Sequence, residues 1–521
     1  MSAAAAAAPG KAPVNPWLIA VVVAVAAFME VLDTTIANVA LRYIAGSLGV
    51  SEDESSWVVT TYLVANAIIV VASGYLARRL GRKKFFIACL GLFTVSSVAC
   101  GFATSLDELL LFRIFQGFAG GGMVPVAQSI LADSFPQEKR GQAFALFGVA
   151  VVVAPVVGPT LGGWLSDNWS WHWCFLINGP VGLAAMAMIS ALIEEKYEKV
   201  ELRFDAIGFA LVAVALGALE IVLDRGQVDD WFDSSFIVWA SALSALSFVL
   251  LIPWEMNQRQ PLVDMRMIAT RQFGACFVVM AATGAILLAT TNFLPQLTQE
   301  DFGYTATWAG LALSPGGLVT VGAMVAVGQL SQRVQPKYLI AVGAGICAAS
   351  MYWLTDVNPD IGFWFFAKTR MLIGLGLPLI FIPITAASYY GLKKSQTDNA
   401  SALLNAARNT GGSIGVSLAN NVLAHREQFH QSRLSEATVP SSIPFQHAMN
   451  QATHFFAGAG ASPGDAKAQA FAWVGQQVSQ QASLLAYVDV FWVLMIMALC
   501  AIPLALALRN VKLGGAAPVG H

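Results

Sequence analysis

The chain has 521 residues, a mean hydropathy of +0.64 and 12% charged residues, against about 25% in a soluble domain, so no water-soluble fold of this length could cover its apolar surface. A formal net charge of −2 excludes the basic footprint that a nucleic-acid partner demands. Cys89, Cys100, Cys174, Cys276, Cys347 and Cys500 all lie in apolar runs and read as small core residues, with no disulfide and no metal site.

Residues 1–16 are an Ala-rich tail that resembles a disordered cytoplasmic extension more than a cleaved signal. Apolar runs then follow near 17–39, 55–77, 85–105, 108–132, 141–165, 172–193, 204–223, 233–253, 272–297, 304–330, 337–355, 361–389, 396–424 and 486–508. Each approaches or exceeds the roughly 20 residues that cross a bilayer, which predicts fourteen transmembrane helices in an all-α integral membrane protein. The even count places both ends on one side. That side holds twenty of the 29 basic residues, including Lys11, Arg78 to Lys84, Lys139, Arg140, Lys196, Lys199, Arg203, Arg259, Lys394 and Lys512. The other side holds five, Arg42, Arg225, Arg426, Arg433 and Lys467, so the bias assigns both termini to the cytoplasm.

The first run contains two carboxylates, Glu30 and Asp33. Acids at membrane depth are costly and mark pathways or proton relays, and three residues of separation put both on roughly one helix face, about 5–6 Å apart. Close like charges raise the proton affinity of at least one member, so the pair reads as a proton-binding device if it faces a cavity. The alternative is that Asp33 hydrogen-bonds within the bundle while Glu30 sits near water.

Span two ends in Gly74-Tyr75-Leu76-Ala77-Arg78-Arg79-Leu80-Gly81-Arg82-Lys83-Lys84. Gly74 and Gly81 suit close helix approach and a tight turn, and the cations with Arg82 anchor an inside loop at an anionic surface. Span four carries Arg113 and Gln116. A buried guanidinium is never cheaply neutralised, so Arg113 either tunes the acids or braces neighbouring helices. In span five, Pro155 and Pro159 loosen the helix, while Gly158, Gly162 and Gly163 offer a flat packing face.

Glu220 lies near the outer end of span seven; if that span is peripheral, Glu220 is a poor carrier of a coupled proton. Asn292 and Gln296 flank Pro295, and Asn405 and Arg408 lie in span thirteen; these four with Gln116 are candidate cavity residues, and Arg408 reads as the second-half counterpart of Arg113. Residues 425–485 form a long polar loop on the outer side, either a docking surface or a passive cap. No metal-spaced His cluster or nucleophile with an adjacent base is evident, and His425, His430, His447 and His454 all lie in or beside that loop.

Leu32-Asp33-Thr34-Thr35-Ile36-Ala37-Asn38-Val39-Ala40, the Arg113 segment and Gly158-Pro159-Thr160-Leu161-Gly162-Gly163 resemble the first-, fourth- and fifth-span signatures of the major facilitator drug:proton antiporters. Leu223-Asp224-Arg225-Gly226, Tyr304-Thr305-Ala306-Thr307-Trp308-Ala309-Gly310 and the long final loop are similar to the fourteen-span EmrB branch. The resemblance, from about residue 15 to 510, implies a major facilitator fold with a six-helix bundle at 17–193, two inserted helices at 204–253 and a second six-helix bundle at 272–508, the latter carrying the 425–485 loop, followed by a tail at 509–521. It implies a secondary transporter, not an enzyme and without a cofactor. The expected activity is proton-driven export of lipophilic or amphipathic compounds across the bacterial inner membrane, alternating access coupled through Asp33, Glu30 and Arg113. In Gram-negative cells it also implies an EmrA-like periplasmic adaptor and a TolC-like outer-membrane channel.

Two departures stand out. The family commonly has Asp after Gly-x-Leu-Ala where this chain has Arg78, so an inter-bundle latch built on that acid is absent or rewired. A branch member carries Gln at the place of Glu30, which makes Glu30 a local addition. A transporter dedicated to one metabolite would share these spans and acids, and an adaptor-docking or sensing protein would share the loop.

Overall fold

The computed structural model describes residues 15–193, 205–258, 261–393 and 396–510. Lys11, Lys196, Lys199, Arg203, Arg259, Lys394 and Lys512 lie outside the described residues, as do nearly all of the two tails.

Every long element is a helix, because in hydrocarbon the backbone must satisfy its own hydrogen bonds. In the first half these are α1 (Pro16–Leu48), α2 (Glu52–Leu80), α3 (Arg82–Cys100), α4 (Leu106–Ser134), α5 (Gln137–Asn168), a short α6 (Trp173–Leu176) and α7 (Asn178–Leu192). Two further long helices follow, α8 (Ala206–Arg225) and α9 (Ser235–Asn257), and then a short α10 (Met265–Ile268). The second half contains α11 (Arg271–Glu300), α12 (Ala306–Leu330), α13 (Pro336–Leu354), α14 (Phe363–Ser388), α15 (Thr397–Ala437), α16 (Ile443–Gly458) and α17 (Pro463–Leu506).

Starts are marked by side chains that accept from the unpaired first-turn amides. Ser51 and Glu54 form a reciprocal capping box at α2, and Ser105, Asp205, Thr270, Thr305 and Ser462 cap α4, α8, α11, α12 and α17. Gly81 carries a φ of 91°, a conformation that L side chains rarely adopt, and so permits the abrupt turn from α2 into α3.

Among the described residues, twelve helices are long and apolar enough to cross a bilayer, with α6 and α7 taken as one, or thirteen if α5 counts as one span. The two arms of α5, Lys139–Pro155 and Val157–Asn168, meet at 41°, the bend expected where Pro155 and Pro159 interrupt the backbone ladder. The predicted thirteenth run lies in α15, which is too polar to pass that test because it carries Asp398, Asn399, Asn405, Arg408 and Asn409. Protein covers this helix instead: α15 packs on α11, α17, α2, α4 and α8.

The halves repeat one packing plan. α1 lies on α5, α4 and α7, as α11 lies on α15, α14 and α17. α2 packs on α4 as α12 does on α14, and α3 contacts α4 and α7 as α13 contacts α14 and α17. Between the halves in the chain, α8 rests on α9, α2 and α15, so it is in touch with both halves rather than peripheral.

The 425–485 stretch is helical. α15 continues beyond the bundle to Ala437, α16 crosses, and α17 runs unbroken from Pro463 into its apolar part. Met449, Ala452 and Ala470, with Phe445, Phe456 and Val474 against them, form a small separate core there.

Candidate functional site

Asp33 sits about halfway along α1 and is 1% exposed. Three donors converge on its carboxylate. Arg113 Nη1 on α4 reaches Oδ2 at 2.7 Å, while Gln116 Nε2 at 2.8 Å and Asn178 Nδ2 at 2.6 Å share Oδ1. Arg113 is 0% exposed and is itself held, donating through Nε to the Val58 carbonyl at 3.0 Å and through Nη1 to Gln116 Oε1 at 2.9 Å. Tyr62 lies under its guanidinium at 4.5 Å, a cation–π contact of a desolvated charge. Asn178 also donates to Ser97 Oγ at 2.9 Å, so α1, α3, α4 and α7 meet in one polar knot.

The α1 backbone at this level is fixed by close packing. A Cβ on Gly158 would fall 2.0 Å from Thr35 Oγ1, and one on Gly162 3.2 Å from the Ile36 backbone. Gly163, by contrast, has only Val39 Cγ1 near, at 3.9 Å. The Gly158–Gly162 face of α5 is thus the floor on which the Asp33 segment lies.

Glu30, one turn away, has a different set of partners. Its Oε1 accepts from Tyr62 hydroxyl and from Asn66 Nδ2, both at 3.1 Å. No cation within ion-pairing reach holds it among the described residues. Asn66 in turn accepts from Asn409 Nδ2 on α15 at 3.4 Å, and Asn409 Oδ1 accepts from Arg408 Nη2 at 3.2 Å. Glu30 is therefore linked to the second half, whereas Asp33 is enclosed in the first. Tyr62 belongs to both sets, its ring on Arg113 and its hydroxyl on Glu30.

The other predicted residues separate by place. Gln116 is fully buried with both amide atoms spent on the Asp33 cluster. Asn405 donates to Gln128 Oε1 on α4 at 2.7 Å, and Ser401 one turn earlier donates to the Pro125 carbonyl at 2.6 Å, so this turn of α15 ties the halves together. Asn292 is exposed on α11, and Gln296 lies nearer the C-terminal end of that helix, bonded to Glu300 at 3.2 Å. Arg408 has Nη1 buried without a partner. By packing, the second-half equivalent of Arg113 is Arg370, since each lies seven residues into its helix, α4 or α14. Glu220 is buried and accepts from Ser413 Oγ on α15 at 2.6 Å.

At the end of the bundle that carries Arg82, the halves are joined by an ion cluster. Arg82 at the start of α3 donates through Nε and Nη2 to Asp398 at 2.6 and 3.0 Å and through Nη1 to Asp133. Gly74 completes the contact, because a Cβ there would fall 2.7 Å from the Asp398 carbonyl oxygen. Position 78 carries no acid, and the ion pair that joins the halves here is made by Arg82 and Asp398 of α15. Phe144 stacks on Tyr389 at 5.8 Å beside it.

Tyr62, Asn66, Asn178, Gln128, Asp133 and Asp398 were not singled out from the sequence. Tyr62 and Asn66 do carry a signal, polar groups four apart within an apolar span, while Asn178 and Asp398 lie at helix starts, where a polar residue is unremarkable. A cavity of about 740 Å³ opens elsewhere, lined by Leu223, Trp231, Phe232, Ile414, Leu418 and His425; neither Glu30 nor Asp33 lies in its wall.

The sequence profile of the Major Facilitator Superfamily matches residues 23–416. The multidrug export protein EmrB of Escherichia coli K12 is 35% identical over 477 residues, covering 91% of this chain and 92% of that protein. The fatty acid resistance protein FarB of Neisseria gonorrhoeae is 37% identical over 423 residues, 80% of this chain and 82% of that one. Among solved structures, the proton:xylose symporter XylE superposes with a TM-score of 0.58 over 94% of this chain and 96% of that one at 12% identity, a likeness of fold alone.

Proposed function

The chain belongs to the major facilitator superfamily and is closely related to EmrB-type multidrug exporters; from that premise we propose that it exports lipophilic or amphipathic toxic compounds across the bacterial inner membrane in exchange for protons. It is a secondary transporter and not an enzyme. The observation that carries the coupling is Asp33, a wholly buried acid whose charge is matched by Arg113 and by two amide donors. Protonation of Asp33 would remove the counter-charge of a guanidinium that cannot itself lose a proton, which changes the balance of the α1–α4–α7 knot and biases one bundle arrangement over the other. Glu30 and Arg113 belong to the same coupling unit, with Gln116 as a fixed donor to it.

The two six-helix bundles are taken as 17–193 and 272–508, with α8 and α9 as inserted spans and α15 as the thirteenth of fourteen spans, its polar side chains turned to protein. Asn292, Gln296, Asn405 and Arg408 would line the path between bundles, and Gly74, Gly81 and Arg82 with Asp398 would close its basic end. The excess of Lys and Arg there supports cytoplasmic termini. On the outer side, the helical arm exposes Ile443, Phe455 and Trp473, apolar groups suited to an EmrA-like adaptor that continues to a TolC-like channel.

Proteoliposomes with an imposed proton gradient provide the test. Wild-type protein should move a permanently charged amphiphile against the proton flux, and Asp33→Asn should not. Full pH-driven transport by Asp33→Asn would remove the assignment.

A further inference from the structure

The repeated packing plan makes the two halves comparable residue by residue, and their charges do not match. In the first half Arg113 on α4 meets Asp33 on α1. In the second half Arg370 on α14 meets Thr290 and Thr291 on α11, through Nη1 at 3.1 Å and Nη2 at 3.5 Å. Both hydroxyls are already committed as donors to the backbone, Thr290 to Ile286 at 2.8 Å and Thr291 to Leu287 at 2.7 Å. They can therefore offer Arg370 lone pairs but no charge. Arg370 is 7% exposed, and no carboxylate pairs with it among the described residues.

A guanidinium stays charged under all physiological conditions, and a buried charge without a counter-ion is strongly unfavourable. Two neutral acceptors occupy two of five donors. Backbone contact fixes the stem: a Cβ on Gly316 of α12 would fall 2.4 Å from Arg370 Cγ and 2.7 Å from its carbonyl oxygen, so α12 and α14 cross here without room for the side chain to swing away. The head is directed to α11, where Thr291 is partly exposed and the next residue, Asn292, is exposed.

We propose that Arg370, with Thr290 and Thr291, is a binding site for the carboxylate of an amphipathic acid carried by the transporter, the substrate supplying the counter-charge that Asp33 supplies to Arg113. The inference rests on the export reading above and names one substrate class for it. A planar carboxylate matches the guanidinium fork, and a small halide shares the charge but not the tail.

The test uses the full chain in lipid nanodiscs, with radiolabelled dodecanoate and dodecyltrimethylammonium as probes of equal chain length and opposite charge, and empty nanodiscs as background. Arg370→Gln should weaken dodecanoate binding about tenfold or more, the scale of a lost charged hydrogen bond, and leave dodecyltrimethylammonium binding within about twofold. Thr290→Asp builds the missing counter-ion into the protein, reproducing the first-half pair, and should exclude dodecanoate in the same way while the chain stays folded. Unchanged dodecanoate binding in Thr290→Asp, or equal loss of both probes, overturns the proposal even if Arg370→Gln does not fold. A chloride-dependent rise in thermal midpoint that Thr290→Asp removes, with dodecanoate binding unaffected, reassigns the site to a halide and overturns the carboxylate. Wild-type vesicles that export dodecyltrimethylammonium while the nanodiscs ignore dodecanoate defeat this inference alone; absence of proton-driven export of the cation defeats the export reading.

Discussion

Glu30 and Asp33 lie one turn apart on the same helix, yet they are built into different regions. Asp33 has a cation and two amides from its own half. Glu30 has a phenol and an amide, and through Asn66 and Asn409 it touches the other half. Sequence spacing alone makes them a pair of like charges; packing makes one an internal ion pair and the other an inter-half contact. Proximity of two acids along a chain thus says little about whether they act together until the donors around each are known.

The largest effect should come from Asp33→Asn, which keeps the shape and removes the titration. Efflux driven by a pH gradient is expected to fall to the level of empty vesicles, with the purified variant still monodisperse. Next is Arg113→Gln, which leaves a buried Asp33 charge unmatched. Breaking such a pair typically costs about 3–5 kcal/mol, to be read as a lower thermal midpoint, and the double variant Asp33→Asn with Arg113→Gln should regain most of that stability but no transport. If the double variant is no more stable than Arg113→Gln, the ion pair is not what holds the knot.

Gly158→Ala pushes a methyl onto Thr35 and should cost about 1–3 kcal/mol by overpacking. Proton-driven efflux should fall with it, because the α1 segment that carries Asp33 is displaced. Glu30→Gln preserves the acceptor to Tyr62 and Asn66 and should change transport only a few-fold. Its proton dependence and substrate range are the informative measurements, and no change in either would leave Glu30 as a structural contact.

The smallest effect serves as a baseline acid outside the spans. Asp301 follows α11, accepts from Ser483 Oγ at 3.1 Å, and is pushed up to about 6, mainly by burial and secondarily by nearby Glu300 and Glu427. An acid raised in the folded state binds protons more tightly there than in the unfolded chain, so folding gains stability as pH falls through about 6 toward the ordinary value near 4. Asp301→Asn should raise the thermal midpoint slightly at pH 8 and hardly at pH 5. Transport should not respond, which separates a stability titration from the coupling titration of Asp33.

Much of the fold was legible in the sequence because hydrocarbon leaves few choices: apolar runs of spanning length, Lys and Arg segregated to one side, and Pro155 and Pro159 marking the bend in α5. The run at 396–424 reads as apolar in the sequence, but α15 is too polar to count among the spanning helices, and its cover comes from other helices. Of the site, Asp33, Arg113 and Gln116 could be found because charges and amides are conspicuous inside apolar runs. Their meeting could not, because Asp33 on α1 and Arg113 on α4 are 80 residues apart in the chain and register between helices is set by tertiary packing, as at Gly158 and Gly162 of α5 beneath α1. Asn178 and Asp398 were hidden for another reason, as polar residues at helix starts need no special role.

The helices α15 and α17 are continuous from the bundle into the helical arm at 425–485. At about 1.5 Å per residue their 41 and 44 residues give rods of roughly 60 Å, about twice the hydrocarbon thickness. A rod without a joint transmits rotation in full, so each degree by which the second half tilts would shift a tip about 30 Å beyond the membrane by roughly 0.5 Å. Any protein gripping that tip would be moved mechanically by the transport cycle and, by reciprocity, could hold the cycle in one position by resisting the motion.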